Sequence, residues 1–264
     1  KVTGVQTCAL PISSFMAVAA AQEHEELNTD RDAFTPATRT VERGRVLNEM
    51  SYVHIDNRGT PDTNSLPELL VRWGAFERLE LRFGFNYEAG SGGSVVTPVE
   101  GDEGLAGDRI EKESSFLYGL KLWVTDQEGW VPRSSVIVEA FTPVSGELFG
   151  TEPAATYAFG WEFFDEWRFD TAIRYVYSDS EEGFFNKWNP SLVLRAPVTS
   201  RWELHAEYFC TSTDGLEDNK VRPFIGPGTH FVITPRFEVG VRMGWGLTQD
   251  AANYFVDTGM AVRF

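Results

Sequence analysis

The sequence predicts an all-β fold, a transmembrane antiparallel up-and-down β-barrel of about twelve strands. Three observations predict it. Apolar residues recur at every second position from about Arg45 onward, connections alternate between short and long, and aromatic residues collect near the ends of the alternating runs. No apolar run reaches the ~18 residues of a spanning helix, so only a closed barrel could carry this chain across a bilayer.

The amino-terminal part precedes the pattern. Residues 1–12 resemble the translation of a sequencing-library adapter and are expected to be an artefact, which removes Cys8 from consideration. Cys210 then stands alone, and no disulfide framework is possible. Residues 13–21 resemble the tail of a secretory signal peptide, with cleavage expected after Ala21; the alternative is a short apolar helix. Residues 22–44 show little period-2 pattern. They either hang in the periplasm or fold back into the lumen as a plug, where Asp30, Arg31, Asp32, Arg39 and Arg43 can pair with charges.

Residues 45–264 are the expected barrel. Strands are predicted near 45–57, 66–73, 79–88, 113–124, 133–142, 153–163, 167–178, 188–196, 202–211, 222–234, 236–246 and 254–264. The third is typical: Leu79, Leu81, Phe83, Phe85 and Tyr87 alternate with Glu80, Arg82, Gly84, Asn86 and Glu88. Phe237, Val239, Val241, Met243 and Trp245 form a second apolar row, and Tyr254, Val256, Thr258, Met260, Val262 and Phe264 a third. Successive side chains of a strand point to opposite faces, so each segment has one greasy and one polar face. Most segments are about the 9–11 residues that cross a bilayer at a tilt.

Alternation alone does not separate a membrane barrel from a soluble β core. The connections do more. Gly74–Glu77, Phe164–Glu166 and Thr234-Pro235 are tight, whereas Ala89–Lys112, Pro143–Glu152, Ser178–Lys187 and Ser212–Val221 are long and polar. Short periplasmic turns and long external loops are the asymmetry of outer-membrane barrels. The polar rows mix glycine with charge, unlike the large apolar filling of a soluble barrel. Trp73, Trp123, Trp130, Trp161, Trp167, Trp188, Trp202 and Trp245 lie near strand ends, where interfacial girdles form. A terminal aromatic on an amphipathic strand, here Phe264, is the expected signal to the barrel assembly machinery.

If the apolar rows meet lipid, then Glu49, Glu68, Arg72, Glu80, Arg82, Lys121, Glu162, Arg168, Asp170, Arg174, Arg195, Glu203, Glu207, Arg242 and Arg263 project inward. A charge at the lipid midplane costs about 2–4 kcal/mol, so these residues require a wet or internally paired lumen. Glu80 and Arg82 against Glu68 and Arg72 are expected to form a ladder, which either lines a water path or stiffens and closes the barrel.

Acidic residues in the long loops (Glu100, Asp102, Glu103, Asp108, Glu111, Asp179, Glu181, Glu182, Asp214, Glu217 and Asp218) suggest an external mouth that enriches cations or binds divalent ions shared with lipopolysaccharide; the alternative is plain solvated loops. The net charge of −16 argues against nucleic acid.

No catalytic, metal or cofactor motif is present: the sequence has no HExxH, CxxC, GxSxG, P-loop or dinucleotide fingerprint. His24, His54, His205 and His230 are scattered, although barrel pairing can bring His205 near a serine.

Several ordered segments resemble one family. Thr29-Asp30-Arg31-Asp32-Ala33-Phe34-Thr35 is similar to a family opening of TDRPDFT, with Asp32 in place of the usual proline. The run Leu66 to Gly74, with Trp73 where tyrosine is common, continues through Leu79-Glu80-Leu81-Arg82. Gly119-Leu120-Lys121, Thr142 to Gly146, Glu207-Tyr208 and Gly244 to Asp250 follow in the same order, up to Arg263-Phe264. Together they resemble the outer-membrane transporter family associated with the meta-cleavage pathway of phenol degradation. The resemblance implies a porin-like barrel in the outer membrane that passes small solutes, with a link to aromatic compounds. A closed structural or surface-interaction barrel is the alternative, and an outer-membrane barrel enzyme comes third.

Overall fold

The computed structural model describes residues 27–92, 94–98, 109–147, 150–164, 166–180 and 183–264. The adapter-like and signal-like segments, 1–12 and 13–21, lie outside the described residues. Twelve antiparallel strands follow one another as β1 (Val46–Asp56), β2 (Thr63–Phe76), β3 (Leu79–Gly90), β4 (Glu111–Thr125), β5 (Arg133–Ser145) and β6 (Glu152–Phe163), then β7 (Trp167–Ser178), β8 (Phe185–Thr199), β9 (Trp202–Asp214), β10 (Val221–Thr234), β11 (Phe237–Gly246) and β12 (Tyr254–Arg263). Each strand pairs with its chain neighbours, and β1 closes the barrel on β12, from Leu47 opposite Arg263 to Asp56 opposite Tyr254. Closure leaves no open sheet edge.

The twelve predicted segments coincide with the twelve strands, though several strands run further than the alternation suggested. β2 begins at Thr63, before Pro67. Proline lacks the N–H of a ladder bond, and the pairing with β3 accommodates it by a register shift between Ser65 and Glu68.

The wall follows the period-2 rule on both faces. Phe83, Phe116, Leu120, Ile173, Leu204, Val241 and Met260 point outward and are exposed. Their neighbours on the other parity, such as Arg82, Lys121, Arg174, His205 and Arg242, are buried inside. An apolar belt of that extent is stable against hydrocarbon, not water. Trp73, Trp167 and Trp202 flank the belt at the end with short turns, and Trp188 and Trp245 at the end with long loops. Trp123 corrects the expectation of a girdle residue. It shares the inward parity of Lys121 and lies under the guanidinium of Arg78, 5.0 Å from the ring centroid.

Candidate functional site

The lumen is filled by two segments that belong to no strand. The first, residues 27–42, enters at the short-turn end, rises to Phe34 and returns. Leu27 and Val41 pack together with Leu47 and Ala261 near that end. Halfway up the barrel, Phe34 stacks on Phe209 with centroids 4.3 Å apart, and the Thr35 hydroxyl donates to Ser191 Oγ at 2.9 Å. The returning chain crosses β2 so closely that a Cβ on Gly74 would overlap the backbone of Val41 and Glu42.

A segment without ladder partners must place its backbone N–H groups elsewhere. Wall and plug carboxylates take them. Glu49 Oε2 accepts from the N–H groups of Asp30 (2.8 Å) and Arg31 (3.0 Å), Glu207 Oε2 from Phe34 (2.8 Å), Glu80 Oε2 from Val41 (2.8 Å) and Asp30 Oδ1 from Ala37 (2.8 Å). The side chains add ion pairs. Asp30 is the hub: Lys121 Nζ donates to it at 3.0 Å, Arg82 pairs with it, and Arg72 Nε lies 3.4 Å away. Arg72 also forks onto Glu80 at 2.7 and 2.9 Å and reaches Glu49 at 3.0 Å. Burial pushes the Asp30 carboxyl up, but Arg72, Lys121 and Arg82 outweigh it and hold it below the ordinary carboxylate range. Asp32 is held down in the same way, against burial, by Arg195 and His230.

The second segment, Ser91–Pro98 with residue 93 undescribed, descends from the long-loop end. Val95 and Val96 bury themselves among Phe34, Val53, Ile55, Phe209, Phe224 and Phe255. Arg242 donates to the Val96 carbonyl at 2.7 Å while pairing with Glu207 and Asp257, each at 2.9 Å.

Each of the fifteen charged residues singled out in the sequence sits on the inward parity. All are buried except Glu162 and Arg263, which stand at the short-turn rim on Arg133 (3.1 Å) and Glu42 (3.2 Å). The expected ladder is only half present. Arg72 takes Glu80, but Glu68 takes Arg31 of the plug, and Arg82 turns to Glu139 at 2.5 Å. The reason is register: Arg72 and Arg82 are direct cross-strand partners, so their like charges require acids between and beyond them. Arg168 pairs with Glu203 (2.5 Å), Arg195 with Asp170 (3.1 Å), and Arg174 covers the Phe141 ring. Glu139 and Asp257 share the inward parity and belong to the same set, paired with Arg82 and Arg242.

Phe264 is exposed at the short-turn end with its N–H on the Val46 carbonyl (2.8 Å). Of the expected acidic mouth, Glu100, Asp102, Glu103, Asp108, Glu181 and Glu182 lie outside the described residues. Asp179 accepts from the Gly150 N–H at 2.9 Å, and Asp218 pairs with Lys220.

A cavity of about 650 Å³ occupies the short-turn end beneath the plug, lined by Arg39, Trp123, Arg168, Trp202, Glu203 and His230 among others. No serine among the described residues reaches His205, whose ring nitrogens make no hydrogen bond. One group with metal-ligand chemistry does come together among the described residues: Asp32, His205 and His230.

The family described as "Putative MetA-pathway of phenol degradation" matches residues 29–264. The chain belongs to this family. Its phenol-degradation family match therefore starts within the plug and spans all twelve strands. No curated protein sequence matches it. Among solved structures, the COG4313 outer membrane channel from Pseudomonas putida F1 is similar in fold, with a TM-score of 0.59 at 12% identity over 86% of this chain and 98% of that one. The transport unit of the autotransporter AIDA-I from Escherichia coli has a TM-score of 0.50 at 9% identity, covering 84% and 90%.

Proposed function

We propose that the protein is an outer-membrane channel for small apolar or aromatic solutes, closed in the observed state by its two inserted segments. The observation that carries this reading is how the lumen is closed. Wall side chains alone do not fill it; residues 27–42 and 91–98 complete the filling, and the first of these is held to the wall by ion pairs and hydrogen bonds. A barrel wide enough to admit a strand-free segment in both directions is wide enough for a small solute once that segment leaves. The short turns, the start of β1 and the end of β12 face the periplasm in this reading, and the long loops face outward. Outer-membrane lipid surrounds the apolar belt.

The solute class follows from two things together. The family description concerns phenol degradation, and the route passes a cluster of Phe34, Phe209, Phe224 and Phe255. A flat apolar molecule replacing Phe34 would stack on Phe209 as that ring does now.

Planar-bilayer recording tests both parts. Wild-type protein is expected to give brief, rare openings, and a variant lacking both residues 27–42 and residues 91–98 a steady current. Millimolar phenol should interrupt that current; a steady current indifferent to phenol would leave a general diffusion pore without aromatic preference. A permanently closed structural barrel is the second reading, favoured by how fully Asp30 is surrounded by cations. A folded deletion variant that passes no current would establish it.

A further inference from the structure

Two wall histidines and one plug carboxylate converge at a single point. β9 and β10 pair with His205 opposite Gly228 and His230 opposite Glu203, which makes the two imidazoles diagonal neighbours on the inner face. Asp32 reaches them from the rising part of residues 27–42. One ligand atom from each of the three residues lies within 4.8 Å of the others, and Asp32 Oδ2 is 3.4 Å from His230 Nδ1. Donors at about 2.0–2.1 Å from a tetrahedral zinc ion stand roughly 3.3 Å apart, so small side-chain rotations close the set.

The surroundings fit an ion. His205 is 5% exposed, yet neither ring nitrogen has a hydrogen-bond partner among the described residues, and His230 Nδ1 has none either. A buried imidazole in that condition needs a partner. The wall makes room for the ring, because a Cβ on Gly228 would overlap it. His230 Nε2 faces Glu203 Oε1 at 3.7 Å, the kind of carboxylate that orients a ligating imidazole through its other nitrogen.

Arg195 already holds Asp32, but at 3.2–3.4 Å, longer than the about 2.7–2.9 Å of tight charged bonds. A carboxylate has lone pairs enough for both. The 650 Å³ cavity, whose lining includes His230 and Glu203, opens a path to the site from the short-turn end.

We propose that Asp32, His205 and His230 bind one divalent transition-metal ion of the zinc class, and that the ion joins the plug to the barrel wall. Two imidazoles and one carboxylate suit Zn²⁺, Cu²⁺ or Ni²⁺ rather than Mg²⁺ or Ca²⁺, which take oxygen ligands. Asp32 is the single ligand outside the wall, so loading the site ties residues 27–42 in place.

The test uses untagged full-length protein in detergent, stripped with a chelator and titrated calorimetrically with ZnCl₂ or MgCl₂. One Zn²⁺ per chain is expected, with no Mg²⁺ uptake at the same concentration. His205→Gln, His230→Gln and Asp32→Asn should each weaken binding at least tenfold, while His54→Gln on the wall leaves it unchanged. Thermal melting by circular dichroism checks that each variant is folded.

A measurement on wild type alone guards against misfolded variants. Its Cu²⁺ form should show electron paramagnetic coupling to two imidazole nitrogens. Zn²⁺ binding that persists in the His205→Gln/His230→Gln double variant or in Asp32→Asn, or a Cu²⁺ spectrum without imidazole nitrogen, would overturn the site. None of these readouts involves a solute or a current, so the site and the channel reading fail separately.

Discussion

The two inserted segments close one lumen by different physics. Residues 27–42 are rich in Asp, Arg and Thr and are held from the short-turn end by carboxylates, guanidinium groups and Lys121. Residues 91–98 are held from the long-loop end chiefly by Val95 and Val96 packed against aromatic rings, with Arg242 on the Val96 carbonyl and Ser91 donating to the Pro61 carbonyl at the rim. The lower segment therefore answers to charge, and the upper one to apolar area. Phe34 is where they meet, since it belongs to the lower segment but packs with the upper cluster.

The sharpest way to break this contrast is to remove one cation from the lower network. Arg72→Met leaves Asp30, Glu49 and Glu80 short of a buried partner, and losing one member of such a pair costs about 3–5 kcal/mol. Hydrogen exchange should show the amides of Arg31 and Val41 released while those of Val95 and Val96 stay protected. Equal release of both would mean the segments form one unit.

Acid should separate them next. Asp30 and Asp32 are held below the usual carboxylate range, so each favours docking above that range and loses the contribution only as pH falls through its depressed folded value. The lower segment should thus remain protected at pH 5 and through the ordinary Asp pKa near ~3.9, and loosen only below it. Loosening already at pH 5 would mean that an acid other than these two, such as Glu49 under the Asp30 and Arg31 amides, governs docking.

Phe34→Ala removes the shared ring, with a loss of about 3 kcal/mol in docking that is indifferent to salt. Here the amides of both segments should exchange faster, which distinguishes it from the Arg72 change. The smallest effect is outside the lumen. Arg78 and Asp126 form a half-exposed pair at 2.6 Å, and Arg78→Ala should lower the unfolding free energy by less than about 1 kcal/mol.

Much of this was legible in the sequence, for reasons that also explain what was not. The period of two fixes parity, and parity alone places Arg72, Glu80, Arg82, Lys121 and Arg242 inside without any knowledge of partners. Partners depend on register, which the turns and bulges set: it places Asn86 opposite Glu68 and Arg82 opposite Arg72.

The convergence of His205 and His230 has the same origin, because it exists only in the register that puts Gly228 opposite His205. Residues 27–42 have no period to read, so their course through the lumen was undetermined. Phe209, Phe224 and Phe255 broke the rule of apolar outside and polar inside. Their inward parity was visible, but the valines they pack with come from a loop far away in sequence.

The most direct measurement of whether residues 27–42 are a removable closure is a disulfide trap. Thr35 and Ser191 have hydroxyls 2.9 Å apart across the plug–wall boundary. Thr35→Cys with Ser191→Cys, in a chain whose Cys8 and Cys210 are replaced by serine, should conduct with brief openings when reduced and fall silent when oxidised. Identical currents in both states, with the crosslink verified by mass spectrometry, would contradict a plug that moves to open the barrel.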